Sequence, residues 1–148
     1  MPGTVAGRSV AALIQRHGPV TDPVLRQRLV QAYIEDRVVK FTNQRAGDRR
    51  RAGHPPGQEG SITKLLFSEH TQRLANLALD LDGVSAQAWV EGDRWSKNSA
   101  WAFLRVRSKT IAGGTSEVQR NVLGERVLGL PREAQVDRDV PWSDTPHS

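Results

Sequence analysis

A glycine pair followed by hydroxyl and acidic residues is the part of this sequence best suited to chemistry. Gly113 and Gly114 precede Thr115 and Ser116, either of which can cap the first N–H groups of a helix, and Glu117 follows. A helix start of this kind favours phosphate or another anion, and glycines let a flat ring approach the backbone closely. The same pattern also suits an ordinary turn and helix cap, so the residue types alone leave both interpretations open.

Other kinds of site find little support. The 148 residues include no cysteine, which excludes disulfides, cysteine-ligated zinc, iron–sulfur clusters and thiol nucleophiles. No Gly-x-Ser-x-Gly elbow, Walker loop or dinucleotide fingerprint occurs. The four histidines share no metal-ligand spacing: His17, His54, His70 and His147. The sequence therefore predicts no metal site and no serine hydrolase chemistry.

The elements that must position the turn are helices. Apolar residues recur at three- and four-residue spacing, no alternating strand pattern is present, and 148 residues suit one domain. These features predict an all-α fold, an antiparallel helical bundle. The predicted helices run from Pro23 to about Ala46, about Ser61 to Gly83, about Ser99 to Ser108, and Thr115 to about Val127. The predicted divisions are an N-terminal segment with a short helical remnant (1–20), the bundle (21–131) and a loose tail (132–148).

Positive charge is concentrated in one segment. Lys and Arg exceed Asp and Glu by five over the whole chain, and the segment from Arg26 to Arg51 carries the full excess. A basic patch suits nucleic acid, an anionic cofactor, an acidic partner surface or a solvated helix face. No apolar run long enough to span a membrane and no signal-peptide pattern occurs. We expect a cytoplasmic protein that binds no membrane.

The segment from Gly114 to Pro131, GTSEVQRNVLGERVLGLP, resembles the C-terminal signature of the acyl-CoA dehydrogenase family. Upstream, DPVLRQRLVQAYIEDRVVKFTNQRA and PPGQEGSITKLLFSEHTQRLANLALDLDG resemble the long helices of that family's terminal bundle. The resemblance runs from about Ala11 to Glu133. The family's N-terminal helical domain and middle β-domain have no counterpart, so the chain resembles a fragment.

The resemblance implies FAD as the cofactor, an acyl-CoA substrate and an electron-transfer flavoprotein as acceptor. It implies cofactor contacts at Gly114, Thr115, Ser116 and Glu117, and none of them is a metal ligand. Gly113 occupies the position where many family members have the catalytic glutamate, so no catalytic residue is assigned. Gln119 and Arg120 are assigned to bundle or subunit contacts.

One run departs from the family pattern. Where the family often has a glutamine and two glycines near the partner's flavin, this chain has Asp80, Leu81, Asp82 and Gly83. Two carboxylates at that point are expected to repel a pyrophosphate.

Three functions follow from these observations. The leading hypothesis is the C-terminal part of an FAD-dependent acyl-CoA dehydrogenase, inactive by itself. The alternative is a non-catalytic bundle that pairs with a full-length dehydrogenase subunit, and a basic nucleic-acid-binding domain is the least favoured. A homo-oligomer or a hetero-oligomer is expected, because the apolar stripes predict that the isolated chain self-associates.

Overall fold

The computed structural model describes residues 9–55, 57, 59–88, 99–132 and 140–144. Within them the chain forms helices and no strand, which confirms the all-α prediction. The α-helices are α1 (Val10–His17), α2 (Pro23–Arg51), α3 (Glu59–Asp82), α4 (Ser99–Val106) and α5 (Ser116–Arg126). Short 3₁₀ turns lie at Gly83–Gln87, Arg107–Thr110 and Trp142–Asp144. Most of the predicted loose tail, and most of residues 84–98 between the second and third predicted helices, fall outside the described residues.

The two long helices, α2 and α3, pack against each other as an antiparallel pair. Early in α2, Arg28 Nη2 lies 2.6 Å from Asp80 Oδ2 late in α3. Further along α2, Glu35 Oε2 lies 3.0 Å from Arg73 Nε. From Arg28 to Glu35 along α2, the contacted residue of α3 moves back from Asp80 to Arg73. The two helices therefore run in opposite directions. The helices α4 and α5 pack on α3, which is therefore the central element of the bundle.

The helix α2 begins where the sequence predicts and ends later. Asp22 Oδ1 accepts a hydrogen bond from Leu25 N at 2.8 Å, and Pro23 occupies the first helical position. The predicted end at about Ala46 is wrong, because the helix continues through Gly47 to Arg51. A glycine inside a helix costs about 1 kcal/mol relative to alanine. The chain turns only at Gly53, whose φ is +80°.

The hydrophobic core lies between α1, α2 and α3. Leu13 is 1% exposed, and it and Val10 are the most deeply buried side chains. The other members of the cluster come from α2 and α3: Leu29, Ala32, Leu74, Leu77 and Ala78. The first helix has its own start and end signals, since Ser9 Oγ accepts from Ala12 N at 3.2 Å and Gly18 has a φ of +67°. Residues 9–18 are thus an integral part of the packed helices.

A network of charged side chains joins α2 to α3 beside this core. The imidazole of His70 is almost completely buried, and its Nδ1 lies 3.0 Å from Glu35 Oε2. The same carboxylate oxygen accepts a hydrogen bond from Arg73 Nε, also at 3.0 Å. Gln31 Nε2 donates to the other oxygen at 3.4 Å. Partial burial raises the pKa of Glu35, but the hydrogen bonds from His70, Arg73 and Gln31 outweigh it and leave the pKa below the usual 4.5.

We expect Glu35 to make the bundle sensitive to acid. Because the folded pKa is lowered, its stabilising contribution is present above the unfolded value of 4.5 and is lost as the pH falls through the lower folded value. The variant Glu35→Gln should lose less stability than the wild type between about pH 7 and about pH 3. Urea midpoints at both pH values measure this difference. Asp48→Asn, which removes an exposed pair with Arg51, should behave like the wild type, and an unchanged slope in Glu35→Gln contradicts the prediction.

Candidate functional site

The glycine pair forms a sharp turn between the 3₁₀ turn that follows α4 and the start of α5. Gly113 has a φ of +69° and Gly114 a φ of +91°, conformations that side chains rarely adopt. A Cβ atom on Gly114 would lie 2.7 Å from Gln119 Nε2, whereas a Cβ on Gly113 would meet nothing within 4 Å. Glycine at 114 is therefore required by conformation and by space, while the space beside Gly113 is open.

Side chains from two other positions fix the carbonyl groups of the turn. Gln119 Nε2, one turn into α5, donates a hydrogen bond to Gly113 O at 3.0 Å. Lys64 Nζ, near the start of α3, donates to Gly114 O. Both residues lie within the bundle, and Gln119 is almost fully buried. The path of the backbone at the turn is thus set by α3 and α5 together.

The helix α5 begins at the predicted position. Thr115 has an extended backbone, and its Oγ1 accepts a hydrogen bond from Val118 N at 3.3 Å. Ser116 is 8% exposed, and its Oγ is buried without a hydrogen-bond partner. A buried hydroxyl without a partner costs free energy, and most such groups in folded proteins are satisfied. Ser116 Oγ is therefore a polar group beside the turn that a ligand or a water molecule can satisfy.

Glu117 places a carboxylate at the exposed surface of the first turn of α5. Its own backbone N–H and the Thr115 hydroxyl donate hydrogen bonds that lower its pKa, and the charges of Arg120 and Lys64 act in the same direction. The side chain is therefore ionised at neutral pH, and an ionised carboxylate only accepts hydrogen bonds. Glu117 suits ligand groups that donate, such as hydroxyl or amino groups, and repels phosphate.

An arginine supports the turn from the side of α4. Arg107 donates to Gln72 Oε1 at 3.0 Å and to Asn76 Oδ1 at 2.8 Å, both on α3. Its guanidinium lies 4.1 Å from the centre of the Phe103 ring. Gln72 in turn donates to Thr110 Oγ1 at 2.7 Å. This chain of contacts fixes the segment that leads into Ile111 and the glycine pair.

The two carboxylates that depart from the family pattern are both neutralised within the bundle. The side chain of Asp82 is 5% exposed, and its Oδ1 lies 3.0 Å from Arg16 Nη2 and 3.1 Å from His17 Nε2. Asp80 is half exposed and pairs with Arg28. The sequence interpretation treated both as free negative charges, but their structural partners offset that charge. Their main role in the described part of the chain is to attach α1 and α2 to the end of α3.

The site residues predicted from the sequence lie together at this turn. Gly113, Gly114, Thr115, Ser116 and Glu117 are consecutive, so their grouping required only that the turn and the helix cap form. The sequence interpretation missed Lys64 and Arg107, which hold the turn from α3 and from the end of α4. Lys64 lies 50 positions before Gly114, and no local pattern in the sequence connects the two.

The described ranges contain no group of three or more histidine, aspartate or glutamate residues that could hold a metal ion. Among the helices described, none is long and apolar enough to cross a membrane.

An all-α bundle that presents a glycine turn at a helix N-terminus is the class that these observations define. The family model "Acyl-CoA dehydrogenase, C-terminal domain" matches residues 8–128. The chain belongs to the acyl-CoA dehydrogenase family, and the part that it represents is the C-terminal helical domain. The resemblance inferred from Gly114 to Pro131 is confirmed.

Individual relatives agree with this assignment. The chain is 33% identical over 129 residues to the acyl-CoA dehydrogenase IpdE1 of Mycolicibacterium smegmatis, covering 86% of this chain and 31% of that protein. It is 35% identical to IpdE1 of Mycobacterium tuberculosis, covering 86% and 32%. A solved structure described as the steroid ACAD Tcur3481-Tcur3483 matches with a TM-score of 0.69 at 19% identity, over 84% of this chain and 33% of that one. The chain therefore spans about a third of the length of these proteins.

Proposed function

We propose that this chain supplies the C-terminal helical domain of an FAD-dependent acyl-CoA dehydrogenase, which catalyses α,β-dehydrogenation of an acyl-CoA thioester. Family membership supports the reaction class, since acyl-CoA dehydrogenases generally use FAD. The observation that carries the proposal is the glycine turn with the buried, unpaired Ser116 Oγ beside it. The electrons pass to an electron-transfer flavoprotein, and the remaining contacts to FAD and acyl-CoA come from outside this chain.

The residues at the turn fit a flavin nucleotide. Gly114 carries no side chain that would hold a flat ring away from the backbone, and Ser116 Oγ has an unused hydrogen-bonding capacity. Glu117 accepts hydrogen bonds from hydroxyl or amino groups of the nucleotide and is unsuited to its phosphates. Thr115 holds the start of α5 so that these groups stay in place. FAD, when bound, supplies the two-electron acceptor for the dehydrogenation.

The residues of the turn do not supply a catalytic base. Gly113 stands where many family members have a glutamate, and glycine has no group that accepts a proton. Glu117 lies further along, inside α5, and its lowered pKa makes it a weaker base than an ordinary glutamate. The proton acceptor for the thioester α-carbon therefore comes from another element or another chain, and the isolated domain is inactive.

An amide-resolved titration with FAD tests the proposal. We expect the isolated chain to be colourless and to bind FAD weakly, because the turn provides only a few contacts. In ¹⁵N-resolved NMR spectra, FAD should shift the amide signals of Gly113 to Glu117. The amides of Gly53 and Gly129, which also have positive φ at exposed turns, are the matched internal controls and should not move. Equal shifts at all of these glycines, or none at the 113–117 turn, contradict the proposed site.

Restoring a glutamate at the turn should not create an enzyme. The variant Gly113→Glu places a carboxylate into open space, where the family commonly has its base. A general base contributes about 10²–10⁴-fold, and only when the reactants are already held in a reactive geometry. Both the variant and the wild type should show no turnover with FAD, acyl-CoAs and an artificial electron acceptor. Turnover in the variant alone would mean that this domain positions both reactants without further domains.

The second candidate is a non-catalytic domain that pairs with a full-length dehydrogenase subunit. Gly113 favours it, because a chain without a base at this position depends on another chain or domain for the proton transfer. Purified chain mixed with such a subunit separates the two candidates. Under this candidate the chain copurifies with the flavin-containing full-length subunit and contributes its Thr115–Glu117 turn, so Ser116→Ala should lower the flavin content of the complex; under the first candidate the chain does not copurify with a full-length subunit.

A further inference from the structure

A basic cavity lies between the end of α2 and the start of α3. Its volume is about 470 Å³. Asn43 and Arg50 line it from α2, and Thr63 and Lys64 line it from α3. None of the described residues in its lining is acidic. The cavity therefore offers positive charge and hydrogen-bond donors, a combination that attracts an anion.

Two cations of the basic cavity have donors that no described group uses. Arg50 is exposed, and it forms no ion pair within the described part of the chain. Lys64 is partly buried and donates to Gly114 O, but an ammonium group carries three donors. A third cation in the lining, Arg49, adds positive charge and is already engaged within the chain. Lys64 therefore connects the glycine turn to the cavity, and it can contact a ligand together with Arg50.

An anionic group next to the turn is attracted to the cavity and not to the start of α5. A helix N-terminus ordinarily favours an anion, but Glu117 places an ionised carboxylate there. The charge of Lys64 acts on that carboxylate, so Lys64 lies within range of both Glu117 and the cavity. On the cavity side, the described lining residues are cationic or neutral. Repulsion by Glu117 and attraction by Arg50 and Lys64 therefore favour the same location.

The arrangement of the two cations indicates what kind of anion fits. Arg50 and Lys64 belong to different helices that line the same cavity. An anion with two linked charged groups can contact both of them, whereas a single small anion has to choose one. The guanidinium group binds a phosphoryl group through two parallel hydrogen bonds, and the ammonium group acts as a point charge. A diphosphate meets these requirements.

We propose that the basic cavity binds the diphosphate group of a small-molecule ligand. Arg50 and Lys64 contact the two phosphoryl groups, and the Thr63 hydroxyl and the Asn43 amide supply neutral donors beside them. FAD and coenzyme A both contain a diphosphate. Identifying either of them as the source rests on the proposed function, whereas the charge argument for a diphosphate does not.

The first test titrates the full chain with inorganic pyrophosphate and follows its amide NMR signals. The amides of Gly57 and Gly60, which line the cavity, should shift at low ionic strength, and the affinity should fall as salt is added. The amides of Gly18 and Gly129, at turns elsewhere in the fold, should not move. Succinate, matched for ionic strength, represents a pair of protein carboxylates and should bind more weakly than pyrophosphate.

Two arginine variants on α2 assign the binding to the cavity. Arg50→Gln should weaken pyrophosphate binding about tenfold, a change of about 1.4 kcal/mol. Arg45→Gln removes the same charge from an exposed position of the same helix that does not line the cavity. Its affinity should stay within about twofold of the wild type. Both side chains are exposed, and circular dichroism checks that each variant remains folded.

The source of the diphosphate is identified by comparing each natural ligand with a fragment that lacks this group. FAD is compared with riboflavin, and coenzyme A with pantetheine. The ligand that uses the cavity should be displaced by pyrophosphate and should bind Arg50→Gln more weakly than the wild type. Its fragment should be insensitive to the variant.

Three results would overturn this inference. The first is equal binding of succinate and pyrophosphate, which would mean that carboxylates from another part of a longer protein fit the cavity as well. The second is an equal loss of affinity in Arg50→Gln and Arg45→Gln, and the third is an equal shift at all four glycines. Failure of the proposed flavin site is seen separately, because FAD then leaves residues 113–117 unshifted while pyrophosphate still moves Gly57 and Gly60.

Discussion

Replacing Leu13 by alanine is expected to lower the free energy of unfolding by about 2–5 kcal/mol, the range for removing a large aliphatic side chain from a packed core. Leu13 is 1% exposed and contacts the cluster that joins α1 to α2 and α3. Domains of this size are stable by only about 5–15 kcal/mol. The variant should therefore unfold at a much lower urea concentration than the wild type.

The adjacent residue provides the control. Ile14 lies on the same helix, is aliphatic and has the same number of carbon atoms, but is 48% exposed. Ile14→Ala removes comparable apolar surface without leaving a buried cavity, so its loss should be about 1 kcal/mol or less. Urea unfolding followed by circular dichroism measures both variants. Equal losses would mean that Leu13 and Ile14 do not differ in burial as described, and would contradict the packing of α1 on the core.

The second large effect that we expect is a loss of stability when one methyl group is added at Gly114. The variant Gly114→Ala has to hold a φ of +91° and places its Cβ 2.7 Å from Gln119 Nε2. A side chain in a sparsely allowed backbone region costs about 1–3 kcal/mol. Relief of the clash pushes Gln119 away from Gly113 O, which breaks the hydrogen bond that fixes the turn. The variant should lose stability together with the ordered conformation of residues 113–116.

Gly113→Ala is the matched control for Gly114→Ala. Position 113 also has a positive φ, but a Cβ there would meet nothing within 4 Å. The variant should therefore lose only about 1 kcal/mol, the cost of holding alanine in a left-handed backbone conformation. Amide NMR signals of the Gln119 side chain report whether its hydrogen bond survives. They should change in Gly114→Ala and stay close to the wild type in Gly113→Ala. The opposite order would mean that the turn adopts another path in solution.

Helical periodicity predicted the all-α fold and the start of α2 because these features are local. Asp22 and Pro23 determine a helix start through their own hydrogen-bonding and backbone preferences. The sequence pattern predicts an end of α2 about five residues too early, because Gly47 is typical of a helix boundary. Its intrinsic cost of about 1 kcal/mol is small beside the contacts available to a long helix packed on α3. A tertiary effect of this kind leaves no local signal.

The same distinction between local and tertiary effects applies to the candidate site. Gly114, Thr115, Ser116 and Glu117 were predictable as a group, because one turn and one helix start bring them together. The contact of Lys64 with Gly114 O and the ion pairs of Asp80 and Asp82 depend on which helices pack and in what register. The charge of a residue is visible in the sequence, but its partner is not. The repulsion expected from Asp80 and Asp82 therefore takes no account of Arg28 and Arg16, which form ion pairs with them.

The anchoring of both turn carbonyls by Gln119 and Lys64 has a consequence for assembly kinetics. A segment that is already ordered loses little conformational freedom when a cofactor or a second chain arrives, so its docking resembles a rigid encounter and not folding coupled to binding. The backbone of residues 113–116 should accordingly show the high NMR order parameters of a rigid segment, in the free chain as well as in any complex. The turn thus keeps the same shape before and after a cofactor or a second chain arrives.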